Sequence, residues 1–433
     1  MVAMEIKKLK ERVCQAIEAN AQEIIDLGES IFAEPELGYK EFKTAEKVKK
    51  AFASLDLEYQ DEIALTGVIA TAKGKESKAK IAIMGEMDAV VAPGHRCADK
   101  ETGAAHSCGH HVQTATLLGA AIGLIRSGVM SELSGDVAFM AVPAEEAVEL
   151  EFRNQLIKDG KIAFLGGKQE FIRLGHFDDI DAMIMNHSMT GNKVTAGGPG
   201  GMGFVAKLIH YIGRESHAAA PFMGINALNA AKVGLTAVDA IRDTFKDDDG
   251  IRIHPIITKG GDLVNVVPAD VRIETFVRGR NLPAIEDASF KVNRALKAGA
   301  DALGAQVKIY DIPGYMFAFE QPRLKNIVHQ NFADLIGEDR IEQGRGFTTD
   351  ANDVSNLVPT VHATVGGIVG VGHSSNYEVA DPQLSYIVAS KMMAMSVVDL
   401  LADGAKEALA IREEFEAPMT KEQYLKEWGK LDI

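Results

Sequence analysis

The chain has 433 residues, 46% hydrophobic and 25% charged, which is long enough for two cores and too apolar for a disordered or fibrous protein. Asp plus Glu outnumber Lys plus Arg by 61 to 46, and the formal charge of -15 disfavours nucleic acid and anionic membranes as partners. The three scattered cysteines exclude a disulfide framework, and no apolar run is read as approaching the roughly 18 residues that a bilayer crossing needs.

In chain order, residues 1–28 carry apolar side chains at helical spacing with charges between them, which predicts an amphipathic helix of a cytoplasmic protein rather than a signal peptide. Cys14 falls in this helix and reads as buried filler, Cys97 in a polar loop as an exposed thiol. Three later runs each read as a buried parallel strand closed by polar groups. KIAIMGEMDA (80–89) ends at Glu86 and Asp88, DVAFMAVPAEE (136–146) at Glu145 and Glu146, and DAMIMNH (181–187) at His187. Helices are predicted over 110–128 and 380–412, so the class is α/β, and the strand ends should converge on one ligand site.

A second pattern begins after the glycine-rich AGGPGGMG (196–203), which suits a hinge. Strand 202–212, helix 225–244, strands 251–259 and 270–278, helix 283–303 and strand 306–312 make βαββαβ, the ferredoxin-like order, and Pro313 and Gly314 mark the return. The expectation is a discontinuous catalytic domain, 1–197 with 315–433, and an inserted domain, 198–314.

HSCGHH (106–111) puts a thiol and three imidazoles within six residues just before a helix, a pattern that favours a metal site in a chain without disulfides. Cys108 and His110, two apart in an extended turn, can point to one side; His106 and His111 either shape the loop or join them. Glu145 and Glu146 follow Pro143, and neighbours at a strand end face different ways, so one can bind metal while the other handles protons. His187 and His373, the latter in the glycine-rich GGIVGVGHSSNYE, complete a nitrogen, sulfur and carboxylate donor set for one or two divalent ions.

The strand end Glu86-Met87-Asp88, the Cys-Gly-His turn, Pro-Ala-Glu-Glu, a histidine in the inserted domain and a late histidine together resemble the M20 metallopeptidase and amidohydrolase family. AEPELGYKEFKTA (33–45) and the inserted βαββαβ domain extend the likeness along nearly the whole chain, and FDDIDA (177–182) is similar to the branch with aminobenzoyl-glutamate hydrolases. The resemblance implies a mixed central sheet flanked by helices, a lid and dimerisation domain, and two divalent ions, zinc or manganese, with cobalt also compatible. By the same resemblance Cys108 bridges both ions, His110 and His187 complete one site, Glu146 and His373 the other, and Asp88 orients His110. Glu145 is then the general base, His217 an oxyanion donor reaching a partner subunit's site, and Asn265 and Arg278 the holders of a substrate carboxylate, although Arg272 and Arg280 lie nearby. The implied activity is hydrolysis of a small amide such as an N-acyl or N-aroyl amino acid, in a homodimer. The alternatives are release of ammonia from an aromatic amine by the same metals, and a non-catalytic binding protein, against which stands the presence of every expected ligand. Segments 90–107 and 147–171 are longer than the family pattern and lie beside the site, where substrate choice is set.

Overall fold

The computed structural model describes residues 2–198 and 200–428; Pro199 of the glycine-rich stretch and the end of the expected catalytic domain lie outside them. Helices α1 (Val2–Ala19), α2 (Ala21–Phe32) and α3 (Phe42–Ser54) precede strands β1 (Tyr59–Ile63), β2 (Gly67–Ala72) and β3 (Lys80–Glu86). A hairpin, β4 (Val90–Val91) and β5 (Ala104–Ala105), leads to α4 (His110–Arg126) and β6 (Asp136–Val142). After α5 (Leu150–Lys158) and α6 (Gly167–Leu174) come β7 (Ala182–Thr190), β8 (Val194–Thr195) and β9 (Gly203–Ile212). Then follow α7 (Ala227–Ala240), β10 (Arg252–Ile253), β11 (Ile256–Lys259), β12 (Asp270–Gly279), α8 (Leu282–Leu303) and β13 (Gln306–Pro313). The chain continues through α9 (Pro322–Ile336), α10 (Ala351–Ser355), β14 (Thr360–Val369), β15 (Glu378–Val379) and α11 (Ala389–Leu401).

Two compact units form: Met1–Val148, Gly166–Gly200 and Ala318–Lys421 make the first, and Glu149–Leu165, Gly201–Phe317 and the chain from Glu422 the second. The first holds a mixed sheet in the order β1-β2-β6-β3-β7-β14-β15, with β8 on β14; β6, β3, β7 and β14 run parallel. Their apolar runs are buried on both faces, as in β6, where every residue is buried, because helices cover the sheet. Ile83, Phe139, Ile184, Leu117 and Met392 belong to one continuous core that joins the sheet to α4 and α11.

The helix expected over 380–412 is broken. A π-helical turn at Gln383–Val388 opens it, and Gly404 (φ 74°) separates α11 from Lys406–Glu414. Contrary to the sequence expectation, the stretch Gln383–Leu401 is long and apolar enough to cross a membrane by length and composition, yet it is 83% buried inside the protein. Its two charges, Lys391 and Asp399, which interrupt the apolar run, pair with Glu18 and Lys10 of α1, so a core helix keeps them without exposing its apolar sides.

The second unit has the element order β9-α7-β10/β11-β12-α8-β13, and its antiparallel sheet runs β10-β12-β9-β13 with β11 also on β12. Val271, Ile273 and Val277 alternate with half-buried residues along β12 and meet Ala230, Val292 and Leu296 of the helices. The 149–165 segment, expected in the catalytic domain, clusters here because its polar side chains find partners here. Glu151 pairs with Arg272 at 2.9 Å and the Lys158 ammonium lies 5.6 Å from the Tyr310 ring centroid, while the buried Arg153 closes the segment on itself by donating to the Leu165 carbonyl.

Candidate metal centre

In the first unit, β3, β6 and β7 deliver Glu86 with Asp88, Glu145 with Glu146, and His187. The fourth contribution is the turn before α4. Gly109 has φ 99° there, and a Cβ at that position would stand 1.8 Å from Ser188 Oγ and 2.5 Å from the Tyr377 hydroxyl. Ser188 and Tyr377 in turn hydrogen-bond each other at 2.7 Å, and the Tyr377 hydroxyl donates to the Cys108 carbonyl at 3.1 Å, so the turn is clamped between two strands' ends. Gly109→Ala should therefore lower stability by more than the ~1–2 kcal/mol of a left-handed non-glycine residue and reduce metal content; an unchanged Tm and metal content would show that the clamp gives way freely.

Two donor groups share one sulfur. Ligand atoms of Cys108, His110 and His187 all lie within 4.8 Å of one another, and so do those of Cys108, Glu146 and His373. Cys108 Sγ is 3.3 Å from His187 Nε2, and His373 Nε2 is 3.1 Å from Glu146 Oε1. His110 Nδ1 is occupied by Asp88, 2.9 Å from both its carbonyl and Oδ1, and His187 Nδ1 donates to the Ser188 carbonyl at 2.7 Å. Both rings are thus turned with Nε2 as the coordinating atom, a carboxylate or carbonyl behind each imidazole being the usual support of a metal ligand. Asp88 Oδ2 also accepts from the Glu146 backbone N–H at 2.8 Å, so one carboxylate fixes two donors.

The donors fit a cation. His110 Nε2 is buried without a hydrogen-bond partner, although Glu86 Oε2 stands 3.2 Å and Glu145 Oε2 3.8 Å away. Burial, reinforced by Glu146, pushes the Cys108 thiol well up, and burial together with Glu86 and Glu146 pushes the Glu145 carboxyl well up. Burial works the same way on Glu146 but is outweighed by the His373 hydrogen bond, which holds it down at about 2. Four carboxylates and a thiol crowd together here, with the Lys168 ammonium set, among them, against Glu86 alone and His373 against Glu146, a density of anionic donors that suits divalent ions.

His106 and His111 are fully buried with rings 5.4 Å apart, and neither belongs to a donor group among the described residues. Burial drives both below the usual range, His111 to about 3, so they sit as neutral rings behind the ligand turn. His217, Asn265 and Arg278 all belong to the second unit. His217 is exposed and its strand segment bridges Val266, while Ala218 donates to the Asn265 carbonyl at 2.9 Å, which puts His217 and Asn265 side by side. Arg278 lies on β12 with its guanidinium over the Phe204 and Phe276 rings. Arg272 is engaged by Asp270 and Glu151 and Arg280 by the Asp248 carbonyl, whereas Arg278 has no ion-pair partner among the described residues.

Sequence reasoning missed three polar residues built into this region. Lys168 of α6 is fully buried and bonds Glu86 and Asp350. Glu41, buried and pushed up to about 8 by burial and then by Asp88, accepts from Thr66 Oγ1 at 2.6 Å and from the Ala144 N–H at 2.7 Å, where Ala144 sits at φ 56°. It fixes the strained residue just before Glu145.

A model of peptidase family M20/M25/M40 matches residues 82–395. The Xaa-Arg dipeptidase of Mus musculus is 27% identical over 98% of this chain and 96% of its own length. The N-acyl-L-amino acid amidohydrolase of Geobacillus stearothermophilus is 26% identical over 71% of this chain and 80% of its own. Among solved structures, a dinuclear metal-binding M20 peptidase from Bacillus subtilis superposes with a TM-score of 0.64 at 22% identity, covering 89% of this chain and 99% of that one.

Proposed function

The chain belongs to peptidase family M20/M25/M40 and is a hydrolase of amide or peptide C–N bonds, and from that premise we propose that it cleaves a small amide, an N-acyl or N-aroyl amino acid or a dipeptide, with two divalent ions and Glu145 as general base. The observation that carries this reading is the pair of donor groups sharing Cys108, with the Glu145 carboxylate beside them and in neither. Cys108 would be shared by both ions, with His110 and His187 holding one and Glu146 and His373 the other. When bound, the ions supply the Lewis acidity that an unactivated amide needs. Glu145 takes a proton from the attacking water and passes it to the leaving nitrogen, and Asp88 keeps His110 oriented.

The bulk of the second unit is read as the ferredoxin-like lid and dimerisation domain that the sequence placed at 198–314, with 149–165 packed onto it. Arg278, without a carboxylate of its own, is free to take one from the substrate, and Asn265 stands near His217 to help. Dimerisation is supported by the exposed apolar residues of the unit, Phe222, Met223, Ile256, Ile257, Leu263 and Val264, several of them on the edge strand β11 and the loop after it. His217 of one protomer then serves the partner's site.

The test is metal titration of apoprotein followed by a panel of N-acyl amino acids, dipeptides and aromatic amines. We expect saturation at two zinc, manganese or cobalt ions per chain, sharply weaker binding in Cys108→Ser, and hydrolysis of the amides. Saturation at one ion overturns the dinuclear assignment, and ammonia release from aromatic amines with no amide cleavage overturns the substrate class.

A further inference from the structure

Beside the two donor groups stands a third, Glu86 with His110 and Glu145, all three buried and with ligand atoms again within 4.8 Å of one another. On donor type it is as good a cation site as the others, and it claims His110 and Glu145, which the reaction needs elsewhere. Its carboxylate is already engaged. Lys168 Nζ bonds Glu86 Oε1, the Gln113 amide donates to Glu86 Oε2 at 2.5 Å, and Thr114 Oγ1 donates to the Glu86 carbonyl at 2.6 Å. Lys168 is itself pinned at both ends: Asp350 accepts its ammonium at 2.5 Å through Oδ1 and its backbone N–H at 2.8 Å through Oδ2. The side chains of Glu86, Lys168 and Asp350 are 0–1% exposed, so bulk solvent does not screen these bonds.

An ammonium buried against two carboxylates is a strange use of a core position, since hydrophobic residues of the same volume generally do as well for stability. It makes sense as a fixed cation next to a pool of carboxylates that would otherwise recruit a mobile one. We propose that Lys168 is a positioning residue for the reaction: its ammonium on Glu86 Oε1, with the Gln113 amide on Oε2, the oxygen 3.2 Å from His110 Nε2, holds that carboxylate and its charge away from the divalent ions, which keeps them on the two Cys108 groups. The inference rests on the two-metal reading above.

Full-length protein loaded with Co(II) tests it, because cobalt's visible bands report the ligand set without any turnover. In Lys168→Met the freed Glu86 should enter the cobalt coordination, changing the bands, and turnover should fall at least tenfold with little change in KM. Adding Glu86→Gln removes the freed carboxylate, so the double variant should regain the parent's bands and recover at least fivefold of the lost turnover. A purely structural Lys168 would show no such suppression. Unchanged bands in a folded Lys168→Met, or a double variant no better than the single, overturns the proposal. Should Lys168→Met fail to fold, the same claim is read in the Glu86→Gln background, where Lys168→Met should leave bands and turnover within about twofold; a larger loss overturns it. A parent lacking a cobalt–thiolate band overturns the two-metal reading and this inference together, whereas a parent with the band isolates failure to Lys168.

Discussion

Glu145→Gln is expected to lower turnover on the order of 100-fold or more while leaving metal content intact, since a positioned general base contributes about that much. Gln keeps the shape of the side chain and loses only the ability to take a proton. Glu145 has the surroundings such a role requires. It is 7% exposed, its Oε2 lies 3.8 Å from His110 Nε2, and burial with two neighbouring carboxylates raises its affinity for a proton. Bound cations would act in the opposite sense and favour the ionised form. Glu146, by contrast, is one residue on and held ionised by His373, so on the proposed reading the two adjacent glutamates would divide the tasks of proton carrier and ligand. Steady-state rates with metal analysis on the same preparation check the expectation. Turnover within a few fold of the parent would remove Glu145 from the mechanism, and loss of metal would make it a ligand instead.

Most candidate donors stood out in the sequence because they end an apolar run, as Glu145 and Glu146 end DVAFMAV, or sit in a dense cluster, and His373 because of its glycine-rich surroundings; the structure groups them. Their support did not stand out. Lys168 meets Glu86 across 82 residues and Asp350 across 182, and in sequence it is one more charge in the long charged and aromatic segment 147–171. Pattern reasoning registers charge as surface, and only the fold brings the partners that make it a core residue. The same blindness, with opposite sign, hid the apolarity of Gln383–Leu401, where Lys391 and Asp399 break the run and α1 supplies their counterions. The strand read as 251–259 is β10 and β11 with a gap at His254 and Pro255, as expected where proline cannot donate to a ladder. On sequence alone the whole segment 147–171 falls in the catalytic domain, whereas 149–165 clusters with the second unit, because its partners Arg272 and Tyr310 lie more than a hundred residues on and leave no mark in the local pattern.

His217→Ala should by itself be nearly inactive, a loss of roughly 10² to 10³ in rate if it donates to the oxyanion formed as water attacks. The residue is exposed on its own unit, where its Nδ1 accepts the Ala219 N–H at 3.0 Å, so Nε2 remains as the donor for a group outside that loop. Glu145→Gln should also be nearly inactive, yet a mixed dimer of the two variants holds one site with an intact Glu145 and the partner's His217. With random exchange of chains half the dimers are mixed, each with one working site, and about a quarter of wild-type activity should return. The recovery should follow the kinetics of subunit exchange, measured independently by mass spectrometry of isotope-labelled chains, and should vanish if the variants are mixed under conditions that prevent exchange. Exchange without recovery would place His217 in its own chain's site or outside catalysis, and Arg278→Ala, whose expected effect is on KM for carboxylate-bearing substrates, would then be the remaining test of the second unit's part in the reaction.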